Sequence, residues 1–435
     1  MIFEILSTTL FSGIGIAAYM KKGTEKNDSG KIQRIISLSG LNVKDGSTGR
    51  TLTTQLIRKK KHPGFFEYKF RIPYGRSYED YLKKQRILED GLNNRRKRIT
   101  VNDLKTLFPL DSNIIENIKD LWTNKLTDKK EIELLYDGLL IVRVYDEPLS
   151  TLVPFQTGED WKIPVGLTRE KNTFRYHDFN VIPHIVIGGS SGYGKSSFLN
   201  SMIISLLQSQ PDNVKFHLID LKGGVEFSDY ENLKQTVSIA YEPEEALATL
   251  QQAYETMRDI QSRLRMMGKK NVKEANINER HFVIIDESGE LNPAEGIGKA
   301  DKDLKLQCQT YMSQIARIGR SNGFHQILAT QYPVGDVLPR QVKQNSDAKI
   351  CFRVQSEVAS RVVLDSSGGE LLPQVVGRAI YQTASKREIL QTPLITSEII
   401  HNAITPHIVK KEEIILEKKT IIESRPANLI SFERA

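Results

Sequence analysis

Eight consecutive residues in this 435-residue sequence carry the most chemistry: Gly189-Ser190-Ser191-Gly192-Tyr193-Gly194-Lys195-Ser196. They fit the spacing GxxxxGKS. Glycines at these places let successive backbone N–H groups turn inward around phosphate oxygens. The helix that follows the loop aims its positive dipole end at the same anion. The expected roles follow from this. The loop from Gly189 to Ser197 cradles ATP, Lys195 reaches the β- and γ-phosphates, and Ser196 ligates Mg²⁺. The flanks agree, because Ile185-Val186-Ile187 reads as a buried strand and SSFLNSMIISLL as a helix with an apolar stripe. The alternative is a chance glycine-rich turn, which would not need those flanks.

A second constellation is His281-Phe282-Val283-Ile284-Ile285-Asp286-Glu287, an apolar run that ends in two acids. Asp286 fits a second Mg²⁺ ligand, and Glu287 fits the base that orients or activates an attacking water. The bland reading is a strand-end turn. A third candidate is Gln331, which closes Ile327-Leu328-Ala329-Thr330 and can contact the γ-phosphate or the water. Its alternative is a turn residue ahead of Pro333. Asp220, Lys222 and Glu226 follow another apolar run, with a site role and a structural ion pair equally open. Arg317, Arg320 and Arg361 are candidates for an arginine that reaches a neighbouring subunit's γ-phosphate. A charge favourably placed near a helix end is the competing account.

These residues need a scaffold that brings strand ends together. From about residue 156 to 398, short apolar runs alternate with longer helical stretches: HIVIGG, VKFHLID, HFVIIDE, HQILATQ and AKICFRV. Such alternation predicts an α/β domain with a mostly parallel sheet. In an open sheet of this kind, ligands bind at the C-terminal strand ends. Ahead of it, residues 51–155 read as a small basic α/β domain, with strands at FFEYKFRIP and GLLIVRVYDE and helical character in SYEDYLKKQRILEDGLN. Residues 51–100 hold 14 Lys and Arg against 5 acids, a surplus of 9 that exceeds the +8 of the whole chain. That surplus suits a solvated face beside anionic lipid or a nucleic-acid track, and composition alone does not choose.

Residues 23–50 are rich in Gly, Ser, Asn and charge and read as a linker. Residues 1–22 contain an uncharged run from Ile5 to Met20, followed at once by Lys21 and Lys22. This short apolar helix is expected to be a single-span membrane anchor with the rest of the chain cytoplasmic; an interfacial helix and a packing helix are the alternatives. Residues 399–435 read as a tail. Hydrophobic residues at 39% and charged residues at 26% exclude wholesale disorder and a many-pass membrane protein. Two cysteines, Cys308 and Cys351, exclude a disulfide framework and a CxxC-type zinc site, and suit a reducing compartment.

The stretch from Pro183-His184 through the phosphate loop resembles the motor of FtsK/SpoIIIE DNA translocases. So do Asp220, Lys222 and Glu226, the IIDE strand, Gly323 through Gln331, and Ser360-Arg361-Val362-Val363-Leu364-Asp365 with Gly368-Gly369-Glu370. The resemblance covers about 155–395. It implies a RecA-like motor, a hexameric ring, and ATP-driven movement on double-stranded DNA. By position it implies that Arg320 is a trans-acting finger and Gln331 a sensor. In the loop from Val337 to Lys343, it implies that Arg340 and Lys343 touch the DNA backbone. Chromosome-segregating members carry several spans, a long linker and a winged-helix module, whereas this layout is compact. It is closer to coupling-protein ATPases of Gram-positive conjugative elements, whose partners are a relaxase or relaxosome and membrane channel proteins. Two other functions stay open: an ATPase of the same family for protein secretion, and an ATP-gated docking adaptor that moves nothing.

Overall fold

The computed structural model describes residues 28–93, 130–170, 173–331 and 338–409. The apolar segment 1–22, the run Arg95-Arg96-Lys97-Arg98, Val337 and the tail beyond 409 lie outside these residues. Among the described residues, no helix is long and apolar enough to cross a membrane. The chain forms two compact units, Met1–Leu149 and Ser150–Ala435.

In the first unit, helix α1 (Ser29–Leu38) is followed by a small pair of strands, β1 (Val43–Lys44) and β2 (Thr51–Leu52). Strands β3 (Gln55–His62) and β4 (Phe65–Arg71), helices α2 (Tyr78–Leu82) and α3 (Gln85–Leu92), and strands β5 (Glu131–Tyr136) and β6 (Leu140–Tyr145) follow. The four longer strands form an antiparallel sheet in the order β3-β4-β6-β5. Alternate residues Phe66, Tyr68 and Phe70 of β4 enter a core with Ile132, Leu134, Leu140, Val142 and Val144. The helices close that core through Ile32, Ile36, Tyr81, Leu88 and Leu92.

Helix α1 overturns the linker reading of its segment. Its apolar residues recur at Ile32, Ile35 and Ile36, but Gly, Ser, Lys and Arg around them hide that face in composition. Ile32 and Ile36 are fully buried. Replacing Ile36 by Ala is expected to cost about 2–5 kcal/mol of stability. Urea unfolding of the whole chain checks this, and a change under about 0.5 kcal/mol would show that α1 is not part of the core.

The run Arg58-Lys59-Lys60-Lys61 lies on β3, which among the described residues is an edge strand. Lysines on an edge oppose pairing with another sheet, so the run has a structural use besides any partner. The Lys59 and Lys61 ammonium groups sit 5.1 and 5.7 Å from the centre of the Phe66 ring.

The second unit holds a ten-stranded sheet. In chain order its elements are β7 (Lys162–Thr168), β8 (Phe174–Asp178), β9 (His184–Gly188), α4 (Lys195–Ser209), β10 (Val214–Asp220), β11 (Thr236–Ala240) and α5 (Pro243–Met266). Then come β12 (Arg280–Asp286), α6 (Gly298–Asn322), β13 (Phe324–Thr330), α7 (Arg340–Asn345), β14 (Ala348–Phe352), α8 (Glu357–Leu364), β15 (Arg378–Gln382), β16 (Arg387–Gln391) and α9 (Ser397–Ile404). The sheet order is β11-β10-β12-β13-β9-β14-β15-β16-β7-β8. Pairing is parallel from β11 to β14 and antiparallel from there to β8.

The inner parallel strands β9, β12, β13 and most of β10 and β14 are buried on both faces, which is why each contains a short apolar run, while edge strand β11 is only partly buried. Ile185, Ile187, Phe282, Ile284 and Ile327 pack on one side with Phe198, Leu199 and Met202 of α4. Val186, Val283, Ile285 and Leu328 pack on the other side with Leu250 and Met257 of α5 and with Met312 and Ile315 of α6. Cys308 and Cys351 are buried and free. Packing in this unit begins before residue 156 and runs past 398. Leu394 N donates to Val153 O at 2.8 Å, and Ala403 and Ile404 of α9 join the α4-side core. The sequence boundaries miss this because one isolated bridge and one short helix supply the contacts.

Candidate active site

Four neighbouring parallel strands, β10, β12, β13 and β9, deliver the chemistry at their C-terminal ends. Gly188 ends β9 and the phosphate loop follows. Gly189 N donates to Thr330 O at 3.2 Å, and Ser190 N donates to Arg353 O at 3.0 Å, so the loop is tied to the ends of β13 and β14. A side chain at Gly189 would place its Cβ 2.6 Å from Phe352 Cβ. Only glycine lets the loop pass there. Gly194 has φ +104 and caps α4, which begins at Lys195. The turn therefore ends with the helix N-terminus under the loop, as the anion-binding reading requires.

Lys195 is buried, and its ammonium contacts Oδ1 of the fully buried Asp286. The other oxygen, Asp286 Oδ2, has no hydrogen-bond partner. Ser196 Oγ donates to Glu226 Oε1 at 2.8 Å. Asp220 is also fully buried and shapes the loop that carries Glu226. Its Oδ2 accepts from Glu226 N at 2.8 Å and Phe227 N at 3.3 Å, and its Oδ1 accepts from Lys222 N at 3.2 Å. Asp220 thus acts on backbone, while Lys222 and Glu226 reach the site with their side chains.

Gln331 sits between these groups. Its Oε1 accepts from Ser191 Oγ of the phosphate loop at 2.6 Å and contacts the Lys222 ammonium. Its backbone N donates to both oxygens of Glu287, at 3.1 and 3.0 Å. Thr330 Oγ1 donates to Glu287 Oε1 at 2.8 Å. Glu287 has φ +58, the left-handed region that a non-glycine residue seldom occupies. Burial pushes the Glu287 carboxyl above its ordinary value, and the hydrogen bonds from Thr330 and Gln331 and the charge of Lys195 only partly oppose that shift. A raised carboxyl is a better proton acceptor near neutral pH.

Lys195, Ser196, Asp286, Glu287 and Gln331, all expected from the sequence, therefore share one edge of the sheet. Arg320, Arg340 and Lys343 do not share it. Arg320 is exposed in the last turn of α6, just ahead of β13. The seven residues of β13 put about 20 Å of strand between that end and Gln331. Arg340 and Lys343 lie on α7 and line a cleft of about 400 Å³ with Lys349, Asp365, Gln382 and Thr383. Lys343 Nζ is 2.8 Å from Asp365 Oδ1, and Lys349 holds the other oxygen. Arg361 pairs with Glu357 at 2.7 Å. Sequence reasoning passed over Thr330. The available signal was a hydroxyl one residue before Gln331, directly after the apolar run Ile327-Leu328-Ala329.

A phosphate loop, a buried Asp–Glu pair at the end of an adjacent strand but one, and the Gln331 amide between them mark a P-loop ATPase built on a large, mostly parallel sheet. Residues 154–286 match the model of the FtsK/SpoIIIE family. The chain is 34% identical over 267 residues to a DNA translocase FtsK of Chlorobaculum tepidum, covering 57% of this chain and 32% of that protein. It is 32% identical over 209 residues to a DNA translocase FtsK of Helicobacter pylori, covering 45% of this chain and 23% of that protein. It thus spans a third or less of the length of these relatives. Its fold is similar to that of the pCW3 conjugation coupling protein TcpA, solved as a monomer with ATPγS. That match has a TM-score of 0.56 at 20% identity and covers 89% of this chain and 99% of that one.

Proposed function

We propose that this chain is an ATP-driven translocase of double-stranded DNA that works as a homo-oligomeric ring, a hexamer. In this reading it is tethered to the cell membrane through residues 1–22, with its motor in the cytoplasm, and serves conjugative transfer as a coupling ATPase. A relaxase or relaxosome and membrane channel proteins are its partners there. One observation carries the catalytic part: Lys195, Asp286, Glu287 and Gln331 converge on one sheet edge within a domain similar to DNA translocases. The near end-to-end fold likeness to TcpA supports the conjugative setting.

ATP seats its phosphates on the loop from Gly189 to Ser197, and Lys195 exchanges Asp286 for the β- and γ-phosphate oxygens. Ser196 Oγ and the unpartnered Asp286 Oδ2 are hard oxygen donors of the kind Mg²⁺ takes. When bound, Mg²⁺ supplies charge neutralisation on the phosphates. Glu287 accepts a proton from the attacking water, and Gln331 reports the γ-phosphate to β13 and to Lys222. Arg320 is exposed and about 20 Å from its own chain's Gln331. That placement suits it to complete a neighbour's site rather than its own. Arg340 and Lys343 contact DNA phosphates, which needs no reading of sequence.

ATP hydrolysis by the whole chain, without DNA, with single strands and with duplex, at two salt concentrations, tests this reading. Duplex is expected to stimulate strongly and salt to weaken the effect. Replacing Arg340 and Lys343 together by Ala should lower the slope of log affinity against log salt by about 2. A rate indifferent to DNA would move the assignment to protein cargo or to a docking adaptor.

A further inference from the structure

The Glu287 carboxylate does not stand free. Oε1 takes two donors, Thr330 Oγ1 at 2.8 Å and Gln331 N at 3.1 Å, and Oε2 takes Gln331 N at 3.0 Å. All of these donors come from the end of β13. The next residue is pinned to the same strand, since Ser288 Oγ donates to Ala329 O at 3.1 Å. The Glu287 backbone pays for this arrangement with a left-handed φ of +58. Thr330 is fully buried, so its hydroxyl has no access to bulk water as an alternative partner. A carboxylate whose lone pairs are held by fixed donors gives up part of that hydrogen bonding before it can take a proton from water.

We infer that Thr330 is a positioning residue that latches the Glu287 carboxylate against β13 and restrains its action on the attacking water. The inference rests on Glu287 being the catalytic base. Gln331 supplies the natural release. Its backbone N belongs to the latch while its side chain accepts from Ser191 of the phosphate loop. A nucleotide that repositions Ser191 shifts Gln331, and with it two of the three hydrogen bonds on the carboxylate. Thr330 contributes the remaining one, the shortest of the three.

The test needs no DNA. Thr330→Val keeps the branched shape and removes the donor, and its DNA-free kcat is expected to rise about tenfold with KM for ATP unchanged, equivalent to about 1.4 kcal/mol. Thr330→Ser, which keeps the donor, should return towards the native rate. Adding Glu287→Gln to Thr330→Val should abolish the gain, because the extra turnover runs through that carboxylate. If Thr330→Val does not fold, Thr330→Ala carries the same expectation. A kcat for the donor-less variant at or below the native value overturns the latch, provided Glu287→Gln alone is inactive. A Ser variant as fast as the Val variant overturns it too. If Glu287→Gln alone keeps full turnover, the assignment of the base fails, and the latch with it.

Discussion

Glu287→Gln is expected to bind ATP as the native chain does and to hydrolyse it about 10²–10⁴-fold more slowly. The substitution preserves shape and the capacity to accept from Thr330 Oγ1 and Gln331 N through its one remaining oxygen. It removes the group proposed to take the proton. Lys195 and the phosphate loop are untouched, so nucleotide affinity has no reason to fall. Single-turnover measurement with labelled ATP separates the two quantities: bound ATP should persist on the protein after mixing. Full turnover by the purified variant would sink the assignment and pass the water-orienting role to another group near the γ-phosphate, of which Gln331 is the nearest candidate. The variant also loses one carboxylate beside buried Asp286, a like charge that raises the Glu287 carboxyl. No loss of stability is therefore expected, and an unfolded product would itself count against the described burial.

The catalytic edge was legible in the sequence for a physical reason. The C-terminal halves of β10, β12 and β13, buried on both faces, hold short apolar runs, Leu218-Ile219, Ile284-Ile285 and Ile327-Leu328-Ala329, so Asp220, Asp286 and Gln331 stand out just beyond them. The same logic failed where burial is one-sided. Strand β3 reads as a charge run because its core contacts are few and its exposed positions carry Arg58, Lys60 and Lys61. Helix α1 hides Ile32 and Ile36 among polar neighbours. Strands β7 and β8 at the antiparallel flank contain Pro164, Gly166 and Arg175 and show no continuous apolar run. Thr330 was missed for a different reason: its partner Glu287 is 43 residues away, and no local pattern encodes a hydrogen bond that forms only when β12 and β13 lie side by side. The pairing between Lys195 and Asp286, 91 residues apart, belongs to the same class. Motif spacing names each member, and only the parallel register of β9, β13 and β12 joins them.

That pairing shapes the second large effect. Lys195→Ala should abolish ATP binding and hydrolysis, because the stretch from Gly189 to Ser197 loses its one side-chain cation, the group proposed to reach the phosphates. It should also destabilise the protein. Asp286 is fully buried, one of its oxygens has no partner, and Lys195 holds the other. Removing one member of a buried ion pair leaves an uncompensated charge, at a cost of about 3–5 kcal/mol. Loss of activity in Lys195→Ala alone therefore mixes two causes. The double variant Lys195→Ala with Asp286→Asn separates them. Neutralising the orphaned acid should recover most of the lost stability in urea unfolding, while ATP binding, followed by a fluorescent nucleotide, stays absent. If the double variant is no more stable than Lys195→Ala, the orphaned Asp286 charge is not what destabilises the single variant. If it binds ATP, the loop backbone and the helix N-terminus suffice for the phosphates, and Lys195 acts in the chemical step alone.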